Sequence, residues 1–166
     1  MASGDTLVVF TSADAVPDDT NFPQPEIVNN HQVLSFDAGT NEICYFEGVM
    51  PSTYSGITGV TVQVVCISRS GTSGTLEWEA SFERNNNGLG ISSDSFASSN
   101  NVTITIGAAN TVIDGAIPGN TIAFTNGAEM DSVAAGEAFR LKVLRDASTD
   151  SCSSDCALMW VIIKET

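Results

Sequence analysis

Along most of this chain, apolar residues return at every second position. The clearest run is GVTVQVVCIS (59–68), where Val60, Val62, Val64 and Cys66 fall on one face. TLEWEASFER (75–84) repeats the pattern, with Leu76, Trp78, Ala80 and Phe82 alternating with Glu77, Glu79, Ser81 and Glu83. A period of two marks a strand with one face buried. The same criterion predicts strands at 6–10, 32–36, 42–50, 102–106, 121–125, 137–146 and 156–165, about nine in all. Trp78 and Trp160 both fit inward positions on their strands. The segment GAEMDSVAAG (127–136) has room for one helical turn at most.

Between these strands lie turn-rich polar segments, and the wide loops separating the later strands suit crossovers between two sheets. The predicted class is therefore all-β: an antiparallel two-sheet β-sandwich of jelly-roll type. An immunoglobulin-like sandwich is the alternative, but no Cys…Trp…Cys spacing supports it. The segment 11–31 breaks the pattern. Its three prolines, Pro17, Pro23 and Pro25, exclude it from a central strand, and it is too long for a hairpin loop. It reads as an extended N-terminal arm lying over its own surface or a neighbour's. The expected organisation is an N-terminal strand and arm (1–32) followed by the jelly-roll domain (33–166). The arm residues Pro17, Phe22, Pro23, Pro25, Ile27 and His31 are the candidates for partner binding.

Composition narrows the function. A chain of 166 residues suggests a single domain able to bury a core without staples. Twenty acidic against six basic residues give a net charge of -14. Such a surface repels nucleic-acid phosphates and anionic membranes, and it favours solubility. No apolar run reaches the roughly 20 residues of a membrane span. The first residues lack a basic region and a long apolar run, so export is not expected.

Catalytic constellations find little support. His31 is the only histidine, and no G-x-S-x-G elbow accompanies it. Glu77 and Glu79 share a strand face, as the two carboxyls of a retaining glycosidase require at about 5–5.5 Å. The segment EWEASFE nevertheless departs from the E-x-D-x-x-E pattern of sandwich glycosidases. It reads as a solvated or cross-strand-paired face. Cys44 and Cys66 sit on apolar faces as buried thiols, whereas Cys152 and Cys156 occupy the loop DSCSSDC. With one histidine in the chain, zinc is not expected, and the spacing leaves a Cys152–Cys156 disulfide open. The loops 37–42 and 146–155 are rich in oxygen ligands but lack EF-hand spacing. No cofactor is expected, a structural calcium being the alternative. The Asn101 sequon NVT and the glycine turn GLG (88–90) carry no function in this reading.

Half of the basic residues, Arg140, Lys142 and Arg145, crowd into GEAFRLKVLRD (136–146). Phe139, Leu141 and Val143 form the core face of this strand. The cations are expected beside the carboxylates of Glu77, Glu79 and Glu83 on a neighbouring strand.

The stretches TSGTLEWEASFER and AGEAFRLKVLRD resemble strands of small β-sandwich proteins encoded by tailed bacteriophages. Ser73, Gly74, Trp78, Phe82 and Arg84 carry the first likeness; Ala135, Gly136, Glu137, Phe139, Leu141, Val143, Arg145 and Asp146 carry the second. The resemblance implies a jelly-roll virion component without catalysis, often trimeric: a capsid decoration (cement) protein, or a tail-fibre or baseplate module. Its main expectation is a decoration protein on the capsid surface, assembled in the host cytoplasm. Its partners would be the major capsid protein and two further copies in a homotrimer, with no nucleic acid and no membrane. The alternative is a receptor- or carbohydrate-binding module, which requires an exposed aromatic platform or a calcium site in the loops.

Overall fold

The computed structural model describes residues 3–114 and 120–166. It contains twelve strands: β1 (Thr6–Thr11), β2 (Ala15–Pro17), β3 (Gln24–Val28), β4 (His31–Phe36), β5 (Glu42–Val49), β6 (Gly59–Ser68), β7 (Thr75–Arg84), β8 (Asn100–Thr105), β9 (Val112–Ile113), β10 (Thr121–Thr125), β11 (Ala138–Arg145) and β12 (Cys156–Glu165). The nine anticipated strands are all present. The three additional ones, β2, β3 and β9, are short pieces. β2 and β3 come from the proline-bearing segment, and both lie at sheet edges, where a missing N–H costs no ladder bond. The single anticipated helical turn is the 3-10 turn Ala128–Met130; a second, Ser12–Asp14, follows β1.

The strands form two antiparallel sheets of jelly-roll type. One has the order β2-β5-β11-β7-β8. The other has seven strands in the order β10-β6-β12-β4-β3, with β9 also against β6 and β1 also against β12. β12 is its spine. On one side it pairs with β6 along its length; on the other it meets β4 at residues 156–158 and β1 at residues 160–164. Where its partner changes, the register slips at a bulge between Leu158 and Trp160.

The core lies between the sheets and follows the alternation. Val60, Val62, Val64 and Cys66 of β6 meet Leu76, Trp78, Ala80 and Phe82 of β7 and Phe139, Leu141 and Val143 of β11 within one buried cluster. Two of its aromatic pairs, Phe36 on Trp78 and Phe82 on Phe124, pack edge-on, each with centroids 5.0 Å apart. A second, smaller cluster lies on the outer face of the seven-stranded sheet: Val33, Val65, Ile67, Ala157 and Met159.

The segment 11–31 lies on its own sandwich. β2 covers the edge of β5, and β3 forms a hairpin with β4. The hairpin turns on Asn29 and Asn30, both left-handed with φ of 45° and 66°. This is the twist that a two-residue turn demands, and asparagine tolerates it.

Candidate functional site

The bulge in β12 decides which aromatic residue reaches the surface. Before it, Cys156 and Leu158 point inward; after it, Val161 and Ile163 do. The extra residue leaves Met159 and Trp160 together on the outer face. Trp160 is 37% exposed, whereas Trp78 is fully buried. The inward position expected for Trp160 is therefore corrected: a strand that bulges loses the parity on which alternation relies.

Trp160 stands between Thr11 of β1 and Val65 of β6 in the register. It forms one side of a groove of about 230 Å³, shared with Met159, Thr11, Ser12, Ala13, Asn30, His31 and Gln32. Local bonds hold the walls. The Thr11 N–H and hydroxyl both donate to Asp14 Oδ2, at 2.7 and 2.8 Å, and close the 3-10 turn as a capping box. The Ser12 hydroxyl donates to the Gln32 carbonyl at 2.8 Å and ties that turn to β4. The Asn29–Asn30 turn forms the other wall. A flat indole beside an imidazole, two amides and two hydroxyls offers an apolar face with hydrogen-bonding groups around it. No carboxylate lines this groove, in a chain of net charge -14.

Of the six arm residues proposed from sequence, His31 joins Trp160. Pro17, Phe22, Pro23 and Pro25 instead line a separate groove of about 170 Å³, together with Leu34 and Cys44. Ile27 lies apart on β3 and is 65% exposed.

The outer face of the five-stranded sheet is built differently, from charges that satisfy one another. Arg140 Nε donates to Glu83 Oε2 at 2.8 Å, and its Nη2 meets Asp94 at 2.5 Å. Its guanidinium lies over the rings of Tyr45 and Phe96, 4.9 and 4.7 Å from their centroids. The Lys142 ammonium lies 5.0 Å from the centre of Phe96. Ser95 N–H donates to Glu83 Oε1 at 2.6 Å, so the loop 85–99 is pinned onto this face. Burial pushes the Asp18 carboxyl up, but hydrogen bonds from Tyr45, Thr20 and Asn21 outweigh it and hold the group below its ordinary value. Glu77 accepts hydrogen bonds from Asn101 and, at 2.5 Å, from the Thr103 hydroxyl, both on β8. Glu83, tied to β11, and Glu77, tied to β8, act as cross-strand fasteners.

The expected pairing of all three β11 cations with Glu77, Glu79 and Glu83 holds only for Arg140. Arg145 continues the inward series Phe139, Leu141, Val143 and is fully buried. It pairs with Asp150 at 2.8 Å and donates to the carbonyls of Phe36 and Cys152, each at 3.2 Å. All four cysteines are free and buried, including Cys152 and Cys156, whose pairing the sequence left open. Burial pushes the Cys66 thiol up to about 12 and the Cys156 thiol well above its ordinary value. Among the described residues, no group of three His, Cys, Asp or Glu side chains is placed to hold a metal ion.

No protein-family model and no curated protein sequence matches the chain. Solved structures do match. The isomalto-dextranase of Arthrobacter globiformis T6, complexed with panose, superposes with a TM-score of 0.51 at 16% identity, over 95% of this chain and 23% of that one. A CBM35 from Cellvibrio japonicus Abf62 gives 0.49 at 11% identity, over 95% and 92% of the two chains. The infectious bursal disease virus Gx strain gives 0.35 at 12%, over 99% and 34%. The first of these likenesses establishes a shared fold and nothing beyond it; this chain spans about a quarter of that enzyme.

Proposed function

We propose that this chain is a non-catalytic carbohydrate-recognition domain whose binding site is the Trp160 groove. The observation that carries the reading is the β12 bulge, which turns a tryptophan outward beside His31, Asn30 and Gln32. The apolar face of a pyranose ring stacks on an indole, and its hydroxyls exchange water for amide, imidazole and hydroxyl partners. A tryptophan with polar neighbours is also the usual energetic centre of a recognition surface. The shared fold with part of an isomalto-dextranase is compatible with this reading. The test is isothermal titration against a panel of soluble α- and β-glucans. Trp160→Ala is expected to weaken binding at least about 30-fold while circular dichroism shows the variant still folded. Binding by no member of the panel, or unchanged binding by the variant, would overturn the assignment.

A second reading, a virion decoration protein trimeric on a capsid, is favoured by one observation. The edge strand β3 exposes Ile27 at 65%, and an exposed apolar edge is a natural contact surface. A monomeric native mass together with no co-sedimentation with capsids would exclude it.

A further inference from the structure

We infer that Asn87 is a site of spontaneous deamidation in the folded protein, and that the chain's other Asn-Gly pair, Asn126–Gly127, is protected from the same reaction. The two pairs share their chemistry. The backbone nitrogen of the glycine attacks Cγ of the asparagine, a C–N bond forms and ammonia leaves. The resulting five-membered succinimide then takes up water at either carbonyl and opens to aspartate or isoaspartate. Closure needs an asparagine side chain free to turn and a following nitrogen free of hydrogen bonds and unshielded by a side chain.

The structure separates the pairs on those requirements. Asn87 is exposed, and among the described hydrogen bonds its side chain makes none. Gly88 has φ of +96°, nothing lies within 4 Å of the place a Cβ would occupy, and its N–H donates to no partner among the described bonds. The turn is closed outside the reacting atoms, by Leu89 N–H donating to the Asn86 carbonyl at 3.2 Å. Asn126 also precedes an open glycine, with φ of +101° at Gly127. Its amide, however, is held at both ends. Nδ2 donates to the Gly56 carbonyl, and Oδ1 accepts from the Tyr54 hydroxyl at 3.3 Å.

The modification would act on a built surface. Asn85, Asn86 and Leu89 line a groove of about 430 Å³ above the five-stranded sheet, together with Glu47 and Arg140. Isoaspartate at 87 adds a backbone methylene and a carboxylate to the turn that shapes this wall.

The test incubates the folded protein at mildly alkaline pH and maps by mass spectrometry the chymotryptic peptides, which separate the two sites at Phe96 and Phe124, whereas trypsin leaves both in one peptide, 85–140. Isoaspartate is scored by an isoaspartyl methyltransferase with labelled S-adenosylmethionine. In the folded state Asn87 should convert at least about tenfold faster than Asn126, whose two hydrogen bonds must first break. In concentrated urea the two rates should converge. Asn87→Gln, which would need a slower six-membered closure, should remove most of the folded-state methyl-acceptor signal. Conversion at Asn87 only after unfolding, or equal folded-state rates at the two sites, would overturn the inference.

Discussion

The buried Arg145–Asp150 pair offers the sharpest test of the physical reasoning about this core. Arg145 is 0% exposed, and the side chain of Asp150 is 2% exposed. Burial opposes the charge on Arg145, but the groups around it, Asp150 among them, more than offset this and hold its value above the ordinary one. Three hydrogen bonds leave the guanidinium: one to Asp150, one to the Phe36 carbonyl where β4 ends, and one to the Cys152 carbonyl. Asp150→Asn removes the counter-charge and leaves a buried cation facing two neutral carbonyls. Arg145→Met leaves a buried carboxylate whose remaining bond comes from Cys152 N–H at 3.2 Å. Each single change should cost about 3–5 kcal/mol, the penalty for stranding one member of a buried pair. Against a total stability of about 5–15 kcal/mol, that is about a fifth or more of what holds the domain together. The double variant Arg145→Met with Asp150→Leu strands neither charge, so it should lose much less than the sum, with a coupling of about 2 kcal/mol or more. Urea unfolding followed by tryptophan fluorescence reads this directly, because fully buried Trp78 reports on the core. Single losses under about 1 kcal/mol, or simple additivity, would show that the pair is not an energetic unit.

Two further predictions concern the backbone and the surface carboxylates. Gly59 has φ of +123°, and a Cβ there would lie 2.0 Å from the Phe124 carbonyl oxygen. Gly59→Ala should therefore cost about 2–4 kcal/mol, whereas Gly88→Ala, at positive φ but in open space, should cost only about 1–2 kcal/mol. Equal losses in thermal melts would refute the clash. The carboxyls of Asp146, bonded first by the Ser148 hydroxyl, and of Asp18 are held below their ordinary values in the folded chain. A depressed folded value gives stability that is present above the ordinary carboxylate range and lost as pH falls through the folded value. Glu42, which burial pushes up, works in the opposite sense. The urea midpoint should fall on acidification below the ordinary carboxylate range, and less so in Tyr45→Phe, which removes a bond to Asp18. A midpoint that holds or rises would contradict the sign.

The sandwich was legible because most strands bury one face and leave the other polar. Glu77, Glu79 and Glu83 alternate with Leu76, Trp78 and Phe82, and no helix can present such a row. The same alternation separated Phe139, Leu141 and Val143 from Arg140 and Lys142. The same parity puts Arg145 on the inward side, against the expectation that all three cations of this strand face carboxylates on a neighbour. Asp150 and the Cys152 carbonyl lie only 5 and 7 residues further on, but the Phe36 carbonyl is 109 residues away, and the fold alone brings the three around one buried charge. β2 and β3 were hidden by their prolines. Pro17 and Pro25 argue against a central strand, and both strands turn out to be edges, where that argument does not apply.

The site was less legible than the fold, for a reason that lies in β12 itself. Residues 157–163, ALMWVII, are apolar throughout, so the run carries no alternation from which a face could be read. Both faces of the strand are in fact apolar: the core lies on one side, and the cluster of Val33, Val65 and Met159 on the other. Hydrophobicity could therefore not report a bulge, since each register buries a similar amount of apolar surface. What sets the register is the change of partner, from β4 at Leu158 to β1 at Trp160. That change depends on the 3-10 turn Ser12–Asp14 and its tether to Gln32, about 150 residues earlier in the chain. His31 stands out in the sequence as the only histidine, yet Trp160, its neighbour in the groove, fits an inward position there. The groove exists because one long-range pairing rule and one local capping box meet at Trp160. A sequence window contains either of them, but not both.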